Sequence, residues 1–313
     1  MSRRRPRPAS PLPQRYGVDA VRVKLPDNTQ KIGDYLMTRF AASAREVAEL
    51  FAAGGMVDDA GFAVQLTDPC ADRAVWYHRP LRQEPEVPRD LPVLYEDDDV
   101  LVVDKPHGLP TTPRGAYVRH SALALLRYTR QEPQLAPAHR LDRLTAGVLM
   151  FTRKPELRGR MQRQFQDRQT RKVYEAVVQL FPHGNNSWDC LPTVRKTRIE
   201  KLPGNLQSRE VEGPINAVTH IAPLTRPWTD SDGTWAALNL RPLTGQTHQL
   251  RVHLNAMGMP IRWDPLYPVV TLGTESDDTV RHPLQLVARS LTVHHPVSRQ
   301  VITFTSTRTL ATL

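Results

Sequence analysis

A chain of 313 residues with a formal net charge of +10 and 40% hydrophobic residues is long enough for one large domain and a small one. No apolar run approaches the roughly 18 residues of a membrane-spanning helix, and with only Cys70 and Cys190, far apart in the sequence, neither a disulfide framework nor a CxxC metal site is indicated. The excess of cations asks for a polyanionic partner, most simply nucleic acid, although a composition generally rich in Arg and Pro would look the same.

Residues 1–15 carry Arg3, Arg4, Arg5, Arg7 and Arg15, four prolines and no acid. They read as a disordered basic arm, suited equally to touching phosphates and to keeping the chain soluble. No apolar segment follows, so this is not read as a secretory signal, and a cytoplasmic, reducing location is expected. Residues 16–80 read as a small α+β module. The spacing of Ile32, Leu36 and Phe40 predicts a helix over 31–40. Ser43 with Glu46 forms a capping box opening a second helix over 44–53, which Gly54-Gly55 close. Residues 56–62 read as a strand and tight turn. This order resembles a small ribosomal-protein-type RNA-binding module, with fewer basic residues on the second helix; a plain structural lead-in fits too. Pro80, Pro85, Pro88 and Pro92 mark 81–92 as a linker.

The second domain is expected over 93–313. Two β-branched runs, 93–95 and 100–103, flank Glu96-Asp97-Asp98-Asp99. A hairpin turn suits this better than a Mg²⁺ site, because consecutive carboxylates in a hairpin point to different sides. Lys105 to Pro110 forms an extended, turning loop, and a helix is predicted over 117–130. Next comes His139-Arg140-Leu141-Asp142-Arg143-Leu144-Thr145-Ala146-Gly147, one carboxylate between two arginines, leading into an apolar strand. Cationic neighbours favour the charged carboxylate, so Asp142 is expected to be ionised. Leu157, Met161 and Phe165 predict a helix over 155–168 with Arg158, Arg160, Arg163 and Arg168 off its apolar stripe. From His139 to Lys172 there are ten Lys and Arg against three Asp and Glu, which suits a phosphate-binding surface beside a reactive acid. Strands are predicted over 172–178, 236–240, 286–293 and 300–305, with connections and short strands over 181–216, including the basic run Arg195-Lys196-Thr197-Arg198. Leu250, Leu254 and Met257 mark one face of a helix, with Arg251 off it. Strands scattered among isolated helices indicate an α+β fold with antiparallel pairing.

The residues exclude several chemistries. There is no GxSxG elbow, no Walker A loop and no GxGxxG pattern. A glycosidase needs a second acid about 5–9 Å from the first, and none stands out, which weakens a nucleoside-hydrolase reading. His248 and His253 are poorly spaced for a shared metal, and His294-His295 lack clustered partners, so all four are read as structural and no metal is expected. What remains is one carboxylate, nucleophile or base, in cationic surroundings.

Five segments then carry a resemblance, in this order: LYEDDDVLVVDKPHGLPTTP, HRLDRLTAGVLMFTRK, RKVYEAVV, RPLTGQTHQLRVHLNAMGMPI and LVARSLTVHHP. Together they resemble the RluA-type pseudouridine synthase family over roughly 93–305. The resemblance implies a central mixed, mainly antiparallel sheet flanked by helices. It also implies a reaction without a cofactor: uridine within an RNA chain has its C1′–N1 bond broken, and the uracil turns and rejoins through C5. By the same resemblance Asp142 is the catalytic carboxylate, Tyr174 stacks on the uracil and assists proton removal at C5, and Arg251 pairs with Asp142. Arg140 fills the gap left by the flipped nucleotide. Further RNA contacts are expected at Lys105, His139, Arg143, Thr145, Gln246, His248 and Gln249. The implied substrate is large-subunit rRNA or tRNA, and the implied state is a monomer. The chain departs from the family pattern at Gln246 (usually Arg), at Val287 (usually His) and at Arg262-Trp263-Asp264 (usually a Gly-Asp step). An RNA-binding protein of the same fold without activity is the alternative.

Overall fold

The structure, a computed structural model, describes residues 8–41, 44–80, 83–180, 188, 191–271 and 278–310. Residues 1–7 of the basic arm, Ser43 of the expected capping box, the start of the expected linker and Cys190 lie outside them. The chain divides into two compact units, Met1–Pro85 with Arg127–Pro133, and Glu86–Leu126 with Gln134–Leu313.

The first unit contains β1 (Val21–Lys24), α1 (Ile32–Arg39), α2 (Ala44–Ala52), β2 (Met56–Val57) and β3 (Ala74–Tyr77), with the strands in the order β1-β3-β2, all antiparallel. Ile32 and Leu36, one helical turn apart, are fully buried against Val23, Met56, Cys70 and Val75. Each such side chain contributes about 2 kcal/mol by leaving water. After β2 the carboxylate of Asp58 accepts the amides of Ala60 and Phe62, which forms the expected turn.

The second unit is built on a single large sheet. Its strands are β4 (Val93–Glu96), β5 (Val100–Lys105), β6 (Ala136–Pro137), β7 (Ala146–Thr152), β8 (Arg171–Leu180), β9 (Val194–Glu200), β10 (Arg209–Val211), β11 (Ala217–Pro223), β12 (Trp228–Asp230), β13 (Gly233–Pro242), β14 (Leu286–His294) and β15 (Val301–Thr305). The main path runs β10-β9-β11-β13-β8-β14-β7-β5-β4, and among the described residues only β14 and β7 pair in parallel. Helices α3 (Ala122–Arg130), α4 (Pro155–Gln166), α5 (Gln249–Ala256) and α6 (Asp278–Arg281) complete the elements. The fold is therefore α+β with a mixed, mainly antiparallel sheet, as the sequence suggests.

Three local details differ from expectation or explain it. The helix predicted from 117 begins at Ala122, because residues 114 and 117 close a small bridged turn and Ser121 caps the helix with its hydroxyl toward the Ala124 amide. In the β4–β5 hairpin, Asp97 accepts the amides of Asp99 and Val100, so its carboxylate shapes the turn. Gly147 is required where β7 meets β14: its φ is +110°, and a Cβ there would lie 2.3 Å from the Ala288 carbonyl oxygen. Val287, beside that crossing, is fully buried in the core.

Candidate active site

Asp142 sits in the loop entering β7, and the loop is fastened on both sides of it. Leu141 is buried in the core beneath α3, and Leu144 in the core beneath α5. The Asp142 carboxylate therefore stands where two apolar cores meet, and Tyr174 of β8 packs against both. The 105–111 loop ties down the backbone. Lys105 Nζ donates to the carbonyls of Pro106, Leu109 and Arg143 at 2.9, 2.7 and 3.1 Å. His107 Nδ1 lies 2.7 Å from the Leu144 carbonyl. The Thr111 hydroxyl donates to the Leu141 carbonyl at 2.8 Å and accepts its amide at 3.1 Å. The Thr145 amide closes the turn onto the Asp142 carbonyl at 3.1 Å. Residues 141, 143 and 144 are thus clamped, while the carboxylate of Asp142 remains partly exposed.

Arg251 approaches from α5. Its Nη1 is 3.9 Å from Asp142 Oδ2, while Nε and Nη2 are bound to Asp264 at 2.7 and 2.5 Å. The expected Arg251–Asp142 pairing therefore exists, but as the looser of two. Asp264, with a fully buried side chain, also accepts the amides of Leu266 and Tyr267. Burial opposes the charge of Arg251, yet Asp264 and then Asp142 outweigh it and raise its pKa. Arg251 lies off the apolar stripe of α5, yet its side chain is only 2% exposed, held in the interior by two carboxylates. Asp264 was seen in the sequence only as part of a departure, since nothing in the spacing of residues thirteen apart signals a pair. Next to it, Arg262 stacks over Trp235 and Trp263 and pairs with Asp230 and Asp232, which fixes the loop carrying Asp264.

The remaining residues divide by burial. Four expected RNA contacts, Lys105, Thr145, Gln249 and His139, support the interior instead. Lys105 is fully buried with its ammonium spent on carbonyls, and burial lowers its pKa to about 7. Thr145 is buried. Gln249 is buried too, its amide donating to Val218 O and Thr219 Oγ1 and its carbonyl accepting from Thr244 and the Gln246 amide. His139 stacks on Phe165, accepts the Met150 amide, and is driven down to about 3 by burial, so it is a neutral internal acceptor. Arg140 and Gln246 are exposed. Arg143 lies over the Tyr117 ring at 5.3 Å. His248 opens α5 in a left-handed conformation, 3.2 Å from the Tyr267 hydroxyl, and burial lowers its pKa to about 4. Burial, then the charge of Asp142, raises the pKa of Tyr174, so it stands as a phenol. Lys201, after β9, feels both Asp142 and Arg251 electrostatically; it was missed in the sequence because it lies outside every motif.

The metal-capable grouping among the described residues is Asp97, Asp99 and His295. His295 thus does have clustered partners, contrary to the sequence reading. Its Nδ1 accepts the Ser298 amide, which places the ring proton on Nε2 facing Asp97 at 3.0 Å, and Asp99 is paired with Lys154. Asp97 and Asp99 are engaged with protein groups, whereas His295 Nε2, though near Asp97, has no hydrogen-bond partner among the described residues.

A clamped carboxylate facing a buried arginine and a half-buried tyrosine, on this sheet, can be compared with known proteins. A profile described as RNA pseudouridylate synthase matches residues 99–256. The chain is 31% identical over 214 residues to the dual-specificity RNA pseudouridine synthase RluA of Salmonella typhi, covering 68% of this chain and 91% of that protein. This chain belongs to the RluA-type RNA pseudouridine synthases. It is an isomerase acting on RNA. An uncharacterized RNA pseudouridine synthase of Synechocystis sp. is 32% identical to this synthase over 236 residues, 75% of this chain and 78% of the other. The structure of the human RNA pseudouridylate synthase domain containing 1 shares the fold, with a TM-score of 0.51 and 24% identity over 72% of this chain and 86% of that one. No helix among the described residues is long and apolar enough to cross a membrane.

Proposed function

We propose that this synthase converts specific uridines of large-subunit rRNA or tRNA to pseudouridine with Asp142 as the catalytic carboxylate and the target nucleotide flipped out of its stack. The observation that carries this is the position of Asp142: its neighbours on both sides are clamped, its carboxylate is not, and Arg251 and Tyr174 face it. Attack on the sugar, attack on the base and removal of a sugar proton all use a carboxylate so placed, and all need a glycosidic bond that is inaccessible in a stacked helix. Flipping costs a few kcal/mol, which phosphate contacts offset without specifying sequence.

Arg251, held by Asp264, positions Asp142. Tyr174 stacks on the uracil. Because it stands as a phenol, it assists at C5 as part of a proton relay and not as a phenolate. Arg140, which is exposed, enters the gap left by the target, and Arg143, Gln246 and His248 line the RNA side. Residues 16–80 form an RNA-binding module ahead of the catalytic domain, 93–313, with the basic arm and linker before and between them, and the protein works as a cytoplasmic monomer. The test is tritium release from RNA labelled at uridine C5, joined to pseudouridine mapping in total RNA from cells with and without the gene. Release together with loss of discrete sites in rRNA or tRNA is expected; release with no site lost in either RNA would overturn the substrate assignment.

A further inference from the structure

The cationic excess of 139–172 is not all at the catalytic loop. Between α4 and the turn joining β14 to β15 lies a cavity of about 300 Å³ lined by Arg160, Arg163, Gln164, Asp167, Gln169 and Arg299. Three arginines face one carboxylate, Asp167. The floor is fixed: buried Gln164 donates to the His294 carbonyl at 2.7 Å and accepts its amide at 3.0 Å, which locks α4 to the end of β14. Arg160 donates to the Pro296 carbonyl. Arg163 and Arg299 are exposed, and among the described residues neither is in an ion pair.

The backbone adds an independent sign. Arg299 has φ +64° and Arg168, between two lining residues, has φ +56°. One is in a hairpin turn and the other just past a helix end, positions where glycine is the least strained choice. Arginine in this conformation costs on the order of 1 kcal/mol; Arg299 lines the cavity, and Arg168 stands in the chain between Asp167 and Gln169, which line it.

Topology separates this cavity from the catalytic loop. Asp142 precedes β7, and β14 runs parallel to β7 with Val287 beside Ala146. The turn after His294 is therefore at the opposite end of the sheet, roughly 25 Å along the strand direction. One nucleotide cannot bridge that distance, whereas a flanking RNA helix can.

We propose that this cavity is a second RNA-binding site that takes backbone phosphates of the helix flanking the target uridine. The proposal rests on the synthase reading and adds an anchor remote from the chemistry. Guanidinium groups suit it because they meet phosphate oxygens in pairs and do not read base sequence.

The probe is a fluorescein-labelled RNA hairpin with a stem of about 20 base pairs, compared with one of about 5, over a salt series. The variant is Arg163→Gln/Arg299→Gly; glycine suits the left-handed turn, so the fold is not strained. For the long hairpin, affinity should fall about tenfold at low salt and the salt slope should shrink by about 1.4–1.8, the loss of two phosphate contacts. The short hairpin should be bound as by wild type, and Arg163→Lys/Arg299→Lys should retain the wild-type slope. An unchanged affinity and slope for the long hairpin, or an equal loss for both hairpins, would overturn the proposal. Tritium release from C5-labelled bulk RNA by the wild type reports separately on the synthase reading: failure there defeats that reading, whereas an active wild type with an indifferent double variant defeats only the anchor.

Discussion

At the scale of single residues, the guanidinium of Arg251 is shared unequally. Asp264 takes two of its nitrogens and Asp142 is met by the third at 3.9 Å. Such sharing holds Arg251 in place while leaving Asp142 free to meet substrate. Asp264→Asn removes the charge that keeps the buried guanidinium satisfied, and breaking a buried pair costs about 3–5 kcal/mol. A thermal melt should show that loss, and tritium release should fall by lowered kcat with little change in RNA affinity. A variant as stable as wild type would show that Asp142 alone suffices for Arg251. Here the sequence was only partly legible. Asp142, Tyr174 and Arg251 are recognisable from their motifs, and the structure brings them together. Lys105, Thr145 and Gln249 lie in the same motifs, but a motif does not say which members face inward. Their burial is set by strands distant in the chain.

At the scale of elements, the catalytic loop is shaped by two contacts: the 105–111 loop behind it and the β7–β14 crossing beyond it. Lys105, Gly147 and Ala288 lie in one row across β5, β7 and β14. Gly147→Ala would force a methyl to 2.3 Å from a carbonyl oxygen and hold alanine at φ +110°. A loss of at least about 3 kcal/mol is expected, read as a lower denaturation midpoint. Gly159→Ala, in α4 with its nearest new contact 3.7 Å away, should instead stabilise by about 0.5–1 kcal/mol. If both variants melt like wild type, the close approach of the two strands does not hold in solution. Strands β5, β7, β8, β13, β14 and β15 and most helices could be read from apolar runs and from the i, i+4 spacing of apolar residues, whereas β1, β3 and β11 could not. The start of α3 could not, since its apolar periodicity continues back through a turn that Ser121 terminates.

At the scale of the whole molecule, several histidines are held neutral by burial. His107, His248 and His253 are lowered to about 4 and His139 to about 3, from an ordinary value of 6.5. For a depressed pKa the unfolded chain binds the extra proton first. Stability is therefore complete above pH 6.5 and is lost as pH falls toward the folded values. Denaturant titrations should show a loss of at least about 3 kcal/mol between pH 6.5 and 4.5, shallower in His139→Gln. A flat profile in that window would mean these rings are solvated. The net charge of +10 predicts a polyanionic partner from composition alone, but not where the cations collect. That depends on how α4 packs against the end of β14, which no local pattern encodes.

The most direct measurement is tritium release from C5-labelled RNA by Asp142→Asn beside wild type, with RNA binding followed in parallel. The expected result is activity abolished, by a factor of about 10⁴ or more, with RNA affinity and melting temperature close to wild type. Substantial isomerisation by Asp142→Asn would contradict the assignment of this carboxylate.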